Sequence, residues 1–333
     1  MICTLSVVIL HANNCFWTFS STEYYWKTAN IIECVFYFGV PIFFMISGIT
    51  LINYKDRYST KTFFLKRFHK TVLPYIAWSI IGAVFMFLKG AKDLSLLSLL
   101  NEFLTGKTIS IYWFFPVLFC LFLSFPLFAA TPKDHRKNTF GYLFIAALII
   151  NTAIPFCLQL LRVFLDITIS FPYSIAVLAN YLIWPVCGYL LYYYPPSGSL
   201  KLITYFFSIT GLLLHIIGTE ILSYKADAVD QTFKGYNNLP CVLYSVGVFM
   251  FLYDIAGYVV ANKKIEKIVS ELSSYTFAIY LMHWYILEIL KHFLKIDNRS
   301  IIWRLGAPIP VCMIVILITF IMRKIPIIKK IVP

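Results

Sequence analysis

The sequence predicts an all-α protein: a polytopic transmembrane helical bundle of about ten spans, in a single domain over residues 1–333. Three observations carry that prediction. Sixty per cent, or 60%, of the residues are hydrophobic and 13% charged, about half the charged fraction of a soluble domain, and the mean hydropathy is +0.79. Apolar runs of about 17–23 residues, the length that crosses a hydrocarbon core of about 30 Å, recur along the chain. These runs are near-continuous rather than alternating, which sets sheet spans aside. Inside hydrocarbon such a run satisfies its backbone only as a helix.

The expected spans are 1–19, 31–53, 71–88, 111–130, 139–155, 173–194, 202–223, 239–259, 273–293 and 303–322. The connections 54–70, 131–138, 195–201, 260–272 and 323–333 hold 17 of the 28 Lys and Arg residues. Basic connections stay in the cytoplasm, so both termini are expected there. The formal charge of +13 lies between apolar runs, where it orients the protein and meets anionic lipid; nucleic acid is not an expected partner. No repeat relates the halves, and no linker is long enough to separate domains. The first span begins at Met1 without a basic flank, and its apolar stretch reaches only to about Trp17. It has neither the charged leader nor the cleavage site of a signal peptide, and we expect the natural start to lie further upstream.

Ionisable groups inside a span are costly, so each is a functional candidate. His11 comes first. At a rise of about 1.5 Å per residue it falls near mid-depth, where an imidazole either moves a proton or bonds a neighbouring helix for packing. The segment Val40-Pro41-Ile42-Phe43-Phe44-Met45-Ile46-Ser47-Gly48 follows. Its small Ser47-Gly48 pair suits close helix approach or narrow passage of a ligand, and Pro41 suits a bend. Lys66, Arg67 and Lys70 are spaced to share one helical face. On the cytoplasmic side that face either clamps the phosphates of a nucleotide-like donor or anchors lipid headgroups. Trp113, in Tyr112-Trp113-Phe114-Phe115, stands where aromatic anchors gather at the outer interface. Tyr280 and His283 are three residues apart and form a potential polar pair within the ninth span. Glu33, His215, Glu220, Asp254 and Glu288 are further intramembrane groups without an assigned role.

The eight cysteines are scattered, mostly within apolar runs, and suggest neither a disulfide framework nor a zinc site. No phosphate loop, serine elbow or metal-binding motif is present, so no metal is expected. Residue chemistry alone leaves transporter and enzyme both open.

The run Val7-Val8-Ile9-Leu10-His11-Ala12, the Val40–Gly48 segment, Arg67 and Lys70 before Leu73-Pro74-Tyr75, Tyr112–Phe115 and Ser274–His283 occur in an order that resembles the acyltransferase 3 family of membrane acyltransferases. The closest likeness is to bacterial enzymes that O-acetylate surface polysaccharides. That resemblance implies a catalytic role for His11, as base or as acyl carrier. It also implies that Arg67 and Lys70, with Lys66 beside them, bind the phosphates of acetyl-CoA. The implied acceptor is a glycan or a lipid-linked glycan, and the implied location is the bacterial inner membrane. Three departures stand out. The family's basic residue eleven positions before the histidine would precede Met1, in keeping with an upstream start. A histidine frequent before the fourth-span tryptophan is Ile111 here, which does no acid–base chemistry. Lys70 replaces an arginine, keeping charge but losing the bidentate fork. A glycan exporter or flippase is the alternative, and a scaffold in a polysaccharide assembly complex a third reading.

Overall fold

The computed structural model describes residues 1–90 and 95–332, and among them every regular element is helical. α1 (Ile2–Ala12) is shorter than the expected span; it stops at Asn13, and a 3₁₀ turn over Asn14–Trp17 follows. Asn13 explains the stop. Its amide donates to the Ala29 carbonyl at 2.9 Å, and its oxygen accepts from Arg304 at 3.4 Å. Asparagine competes with helical bonding in this way wherever a neighbour offers partners. His11 is therefore in the last turn of α1, next to a change of direction.

The second pass is broken. α2 (Tyr25–Phe36) and α3 (Gly39–Leu51) meet at a two-residue break, Tyr37-Phe38. Pro41 lacks the N–H that would bond the carbonyl of Tyr37, so the helix is weakened where it turns. α4 (Thr60–Arg67) passes through a π-helical segment, Phe68–Val72, into α5 (Leu73–Leu88). α6 (Leu96–Thr105) occupies part of the connection 89–110, of which residues 91–94 lie outside the described residues. A 3₁₀ turn, Ser110–Trp113, leads into α7 (Phe114–Ala130), and α8 (Lys133–Ala147) continues through a second π-helical segment into α9 (Ile154–Leu165).

The sixth span is also shorter than expected: α10 covers only Ile183–Tyr193. The chain before it is irregular because Asn151 holds it away from helix, donating to the Ile175 carbonyl at 2.9 Å and accepting from the Ile175 N–H at 2.8 Å. α11 (Gly198–Ala226), α12 (Leu239–Ala261), α13 (Lys263–Ser273), α14 (Thr276–Leu294), α15 (Ile301–Gly306) and α16 (Pro308–Met322) complete the bundle. Among the described residues, six stretches are long and apolar enough to cross a membrane by length and composition: Tyr25–Asp56, Thr60–Leu88, Ser110–Ala130, Lys133–Leu165, Gly198–Ala226 and Leu239–Ala261. α1, α10 and α16 are shorter, while α14 carries Glu288 and Lys291 among its apolar residues.

Successive passes alternate in direction, which gathers the connections at two ends. At one end Arg299 pairs with Glu23 at 2.8 Å. At the other, the basic end, Lys133 pairs with Asp56 at 2.6 Å, and the buried Arg136 donates to Asn53 Oδ1 and Tyr189 OH. Between the ends, α3 and α10 touch backbone to backbone. A Cβ on Gly48 would stand 2.0 Å from the Pro185 carbonyl oxygen, and one on Gly188 would stand 2.4 Å from that of Met45. Lipid tails give apolar helices little reason to associate, so close approach through small residues supplies the packing. Of the two uses foreseen for Gly48, this packing is the close helix approach. Ser47 turns its hydroxyl back to the Phe44 carbonyl at 2.6 Å.

Candidate functional site

Two imidazoles face one another in the bundle. The His11 and His283 ring centroids are 5.2 Å apart, at an interplanar angle of 44°. His283 is fully buried on α14, and its Nδ1 lies 2.9 Å from the Ile279 carbonyl oxygen. A carbonyl only accepts, so Nδ1 carries the proton and Nε2 of the neutral ring holds the lone pair. Nε2 is buried without a partner among the described residues. An orphaned acceptor beside a second imidazole is a ready terminus for a shared proton.

His11 borders a cavity of about 430 Å³. Its walls are largely aromatic: Tyr37 and Tyr236 stack at 4.3 Å and 7°, and Trp113 continues the stack onto Tyr236 at 5.6 Å and 21°. Tyr181 leans on Trp113 at 5.8 Å. Tyr280 closes the floor, its hydroxyl bonded to the Ile111 carbonyl and its ring 6.0 Å from that of His283. Asn14, Ser110 and Glu33 add polar groups.

Glu33 is buried and paired with Lys234 at 2.8 Å. Lys234 comes from the connection between α11 and α12 and plunges into a cage of rings, its Nζ 3.7 Å from the Tyr37 centroid, 4.8 Å from Phe16 and 5.3 Å from Trp17. Cation–π attraction is strongest when the ammonium is desolvated, as here. Phe233 enters beside it against Gly218. The Phe233–Tyr236 stretch is thus stapled over the cavity, which lets Tyr236 build the aromatic wall. His215, buried behind Tyr37 at 5.2 Å between ring centroids, supports that wall from outside.

A second, smaller cavity of about 200 Å³ also reaches His11 and shares Asn14 and Ser110 with the first. His11 stands between the two.

The structure brings His11, Trp113, Tyr280 and His283 together, and it leaves Ser47, Gly48, Lys66, Arg67 and Lys70 elsewhere. Trp113, a candidate whose plain alternative was an interfacial anchor, lines the cavity. At the basic end the helix switches at Phe68 to π bonding, so spacing by threes and fours no longer sets the three cations on one face. Lys66 Nζ lies 4.0 Å from the Tyr58 centroid. Arg67 folds against Phe63 and Phe122, at 5.9 and 5.8 Å, and Lys70 is exposed. All four acids without an assigned role pair with lysines: besides Glu33 with Lys234, Glu220 with Lys27 at 3.8 Å, Asp254 with Lys201 at 2.7 Å and Glu288 with Lys89 at 2.9 Å. Glu33 was visible as an intramembrane acid; Lys234, Tyr37, Tyr181 and Tyr236 gave no signal in the sequence.

Fold and site together define a multi-pass helical membrane protein with a histidine pair, His11 and the buried His283, at the wall of an aromatic cavity. The model of an acyltransferase domain, that of the acyltransferase 3 family, matches residues 1–323. The chain belongs to that family and is a membrane acyltransferase. No curated protein and no solved structure matches it.

Proposed function

We propose that the protein is an O-acetyltransferase that moves an acetyl group from cytoplasmic acetyl-CoA to a sugar hydroxyl of a cell-envelope or capsular polysaccharide, or of its lipid-linked precursor. The observation that carries this reading is the cavity at His11, with stacked rings on one side and Glu33, Asn14 and Ser110 nearby. A pyranose has an apolar face of C–H groups that packs on aromatic rings and a rim of hydroxyls that needs polar partners.

In the transfer, His11 takes the proton of the acceptor hydroxyl. The freed oxygen attacks the thioester carbonyl, a C–O bond forms and the C–S bond breaks. The thiolate of coenzyme A leaves and takes the proton from His11. In the covalent variant His11 carries the acetyl group between donor and acceptor. In either course the neutral His283 ring, 5.2 Å from that of His11 and with its Nε2 lone pair free, lies beside the reacting imidazole as an acceptor. Arg67, Lys70 and Lys66 supply cations for the donor phosphates at the basic end, which the positive-inside bias assigns to the cytoplasm of a bacterial inner membrane, with both termini there.

The break at Tyr37-Phe38 beside the cavity favours one second reading, a glycan flippase, because transporters build their sites at interrupted helices. Purified protein in liposomes, supplied with labelled acetyl-CoA and glycan acceptors, separates the two. Label in the glycan is the expected result. Glycan crossing the bilayer without label would establish the flippase.

A further inference from the structure

The small cavity on the far side of His11 has no part in the transfer described above. Its lining differs from that of a lipid-filled crevice. Trp284 and Trp303 contribute indole rings, and Glu288, Lys291 and Asn298 contribute polar heads. Glu288 is held by Lys89 at 2.9 Å, which leaves its remaining lone pairs available to a hydroxyl donor. Among the described residues neither Lys291 nor Asn298 spends its side-chain donors on the protein. Indole rings beside free donors and acceptors are the mixture of apolar and polar wall that one sugar unit needs. The volume, about 200 Å³, suits a single ring-sized unit and not a chain.

The position of His11 gives the cavity its meaning. His11, Asn14 and Ser110 line both spaces, so an acceptor hydroxyl placed at the imidazole has room for a ring on each side. A pocket for a single sugar would close behind the histidine. We propose that the second cavity is a sugar subsite, and that the acceptor is a glycan of at least two units that straddles His11. This rests on the glycan-acceptor reading. It adds that single sugars are poor substrates and that acetylation takes place within an oligosaccharide or a polymer.

The test uses the protein in liposomes with acetyl-CoA and a panel of methyl glycosides of common hexoses and N-acetylhexosamines, each with its matching di- and trisaccharide. The expected result is a kcat/KM on the best disaccharide at least about tenfold above that on its single-sugar glycoside, the range one pocket's contacts supply. Asn298→Trp, which pushes an indole into the cavity from the connection before α15, should lower that ratio about tenfold. Lys291→Gln removes one charge with little change of shape and should lower the ratio in the same direction by less. It carries the test if Asn298→Trp fails to fold. Equal kcat/KM on single sugars and disaccharides in the wild type would overturn the subsite and leave the transferase intact. A loss shared equally by both acceptors, with a raised KM for acetyl-CoA, would give the cavity to the donor's arm and overturn the proposal. No transfer to any glycan would sink the glycan-acceptor reading, and the subsite with it.

Discussion

The two ends of the bundle hold their charge in opposite ways. At the cavity end Lys234 and Glu33 are both buried, paired at 2.8 Å and ringed by Phe16, Trp17 and Tyr37. At the basic end Lys66 and Lys70 are exposed, and Arg67 lies along two phenyl rings. The groove beside Arg67, lined by Phe64, Phe68, Val72 and Phe122, is apolar and laterally open. One end is built before any ligand arrives. The other is a supply of cations that a phosphate-bearing donor would have to organise, and part of its affinity would be spent on that ordering. Substitutions at the first end should therefore act on chemistry and folding, and those at the second on donor affinity.

The sharpest contrast comes from His11→Ala. It should cut acetyl transfer by about 10²–10⁴-fold, the usual loss when general acid–base help is removed, with thermal stability near that of the wild type. A variant that keeps more than about a tenth of the rate would make His11 a packing residue and break the comparison at its centre.

Next in size is Glu33→Gln. It leaves Lys234 as an uncompensated buried cation, a change that costs about 3–5 kcal/mol where one partner of a buried pair is lost. The unfolding midpoint in detergent should fall clearly. Combining it with Lys234→Met removes the stranded charge and should restore most of the loss. A midpoint unmoved by Glu33→Gln would show that the staple over the cavity does not hold the fold.

Arg67→Ala should weaken acetyl-CoA binding by about 1–3 kcal/mol, as expected for a hydrogen bond to a charged group, while the melting point barely changes. Equal donor affinity in wild type and variant would leave Arg67 as a lipid anchor. The last test carries no energy at all. A cysteine at Thr60 should resist membrane-impermeant reagents added to intact cells, and labelling from outside would exchange the roles of the two ends.

The fold class was legible because the hydrocarbon core permits so few solutions. Continuous apolar runs left only helices, and the helices are there. Their interruptions were not legible, since each depends on a partner distant in sequence: Asn13 on Ala29 and Arg304, Asn151 on Ile175. In the site, His11 and His283 announced themselves as polar groups in apolar spans, and Glu33 did so without a role. Trp113 was legible as a candidate but not separable from an interfacial anchor, because an aromatic at a span end reads alike whether it faces lipid or a cavity. Lys234 had no signal at all. A lysine in a connection is ordinary until the chain folds it into a cage of rings.

The reciprocal glycines have a mechanical consequence. Gly48 and Gly188 lock α3 to α10 with no side chain between their backbones, and Arg136 fastens the same pair again near the basic end through Asn53 and Tyr189. Interlocked backbones at native packing density cannot slide past one another without parting. The Tyr37 wall of the aromatic cavity is thus set, across the Tyr37-Phe38 break, against a pair of helices that moves as one body.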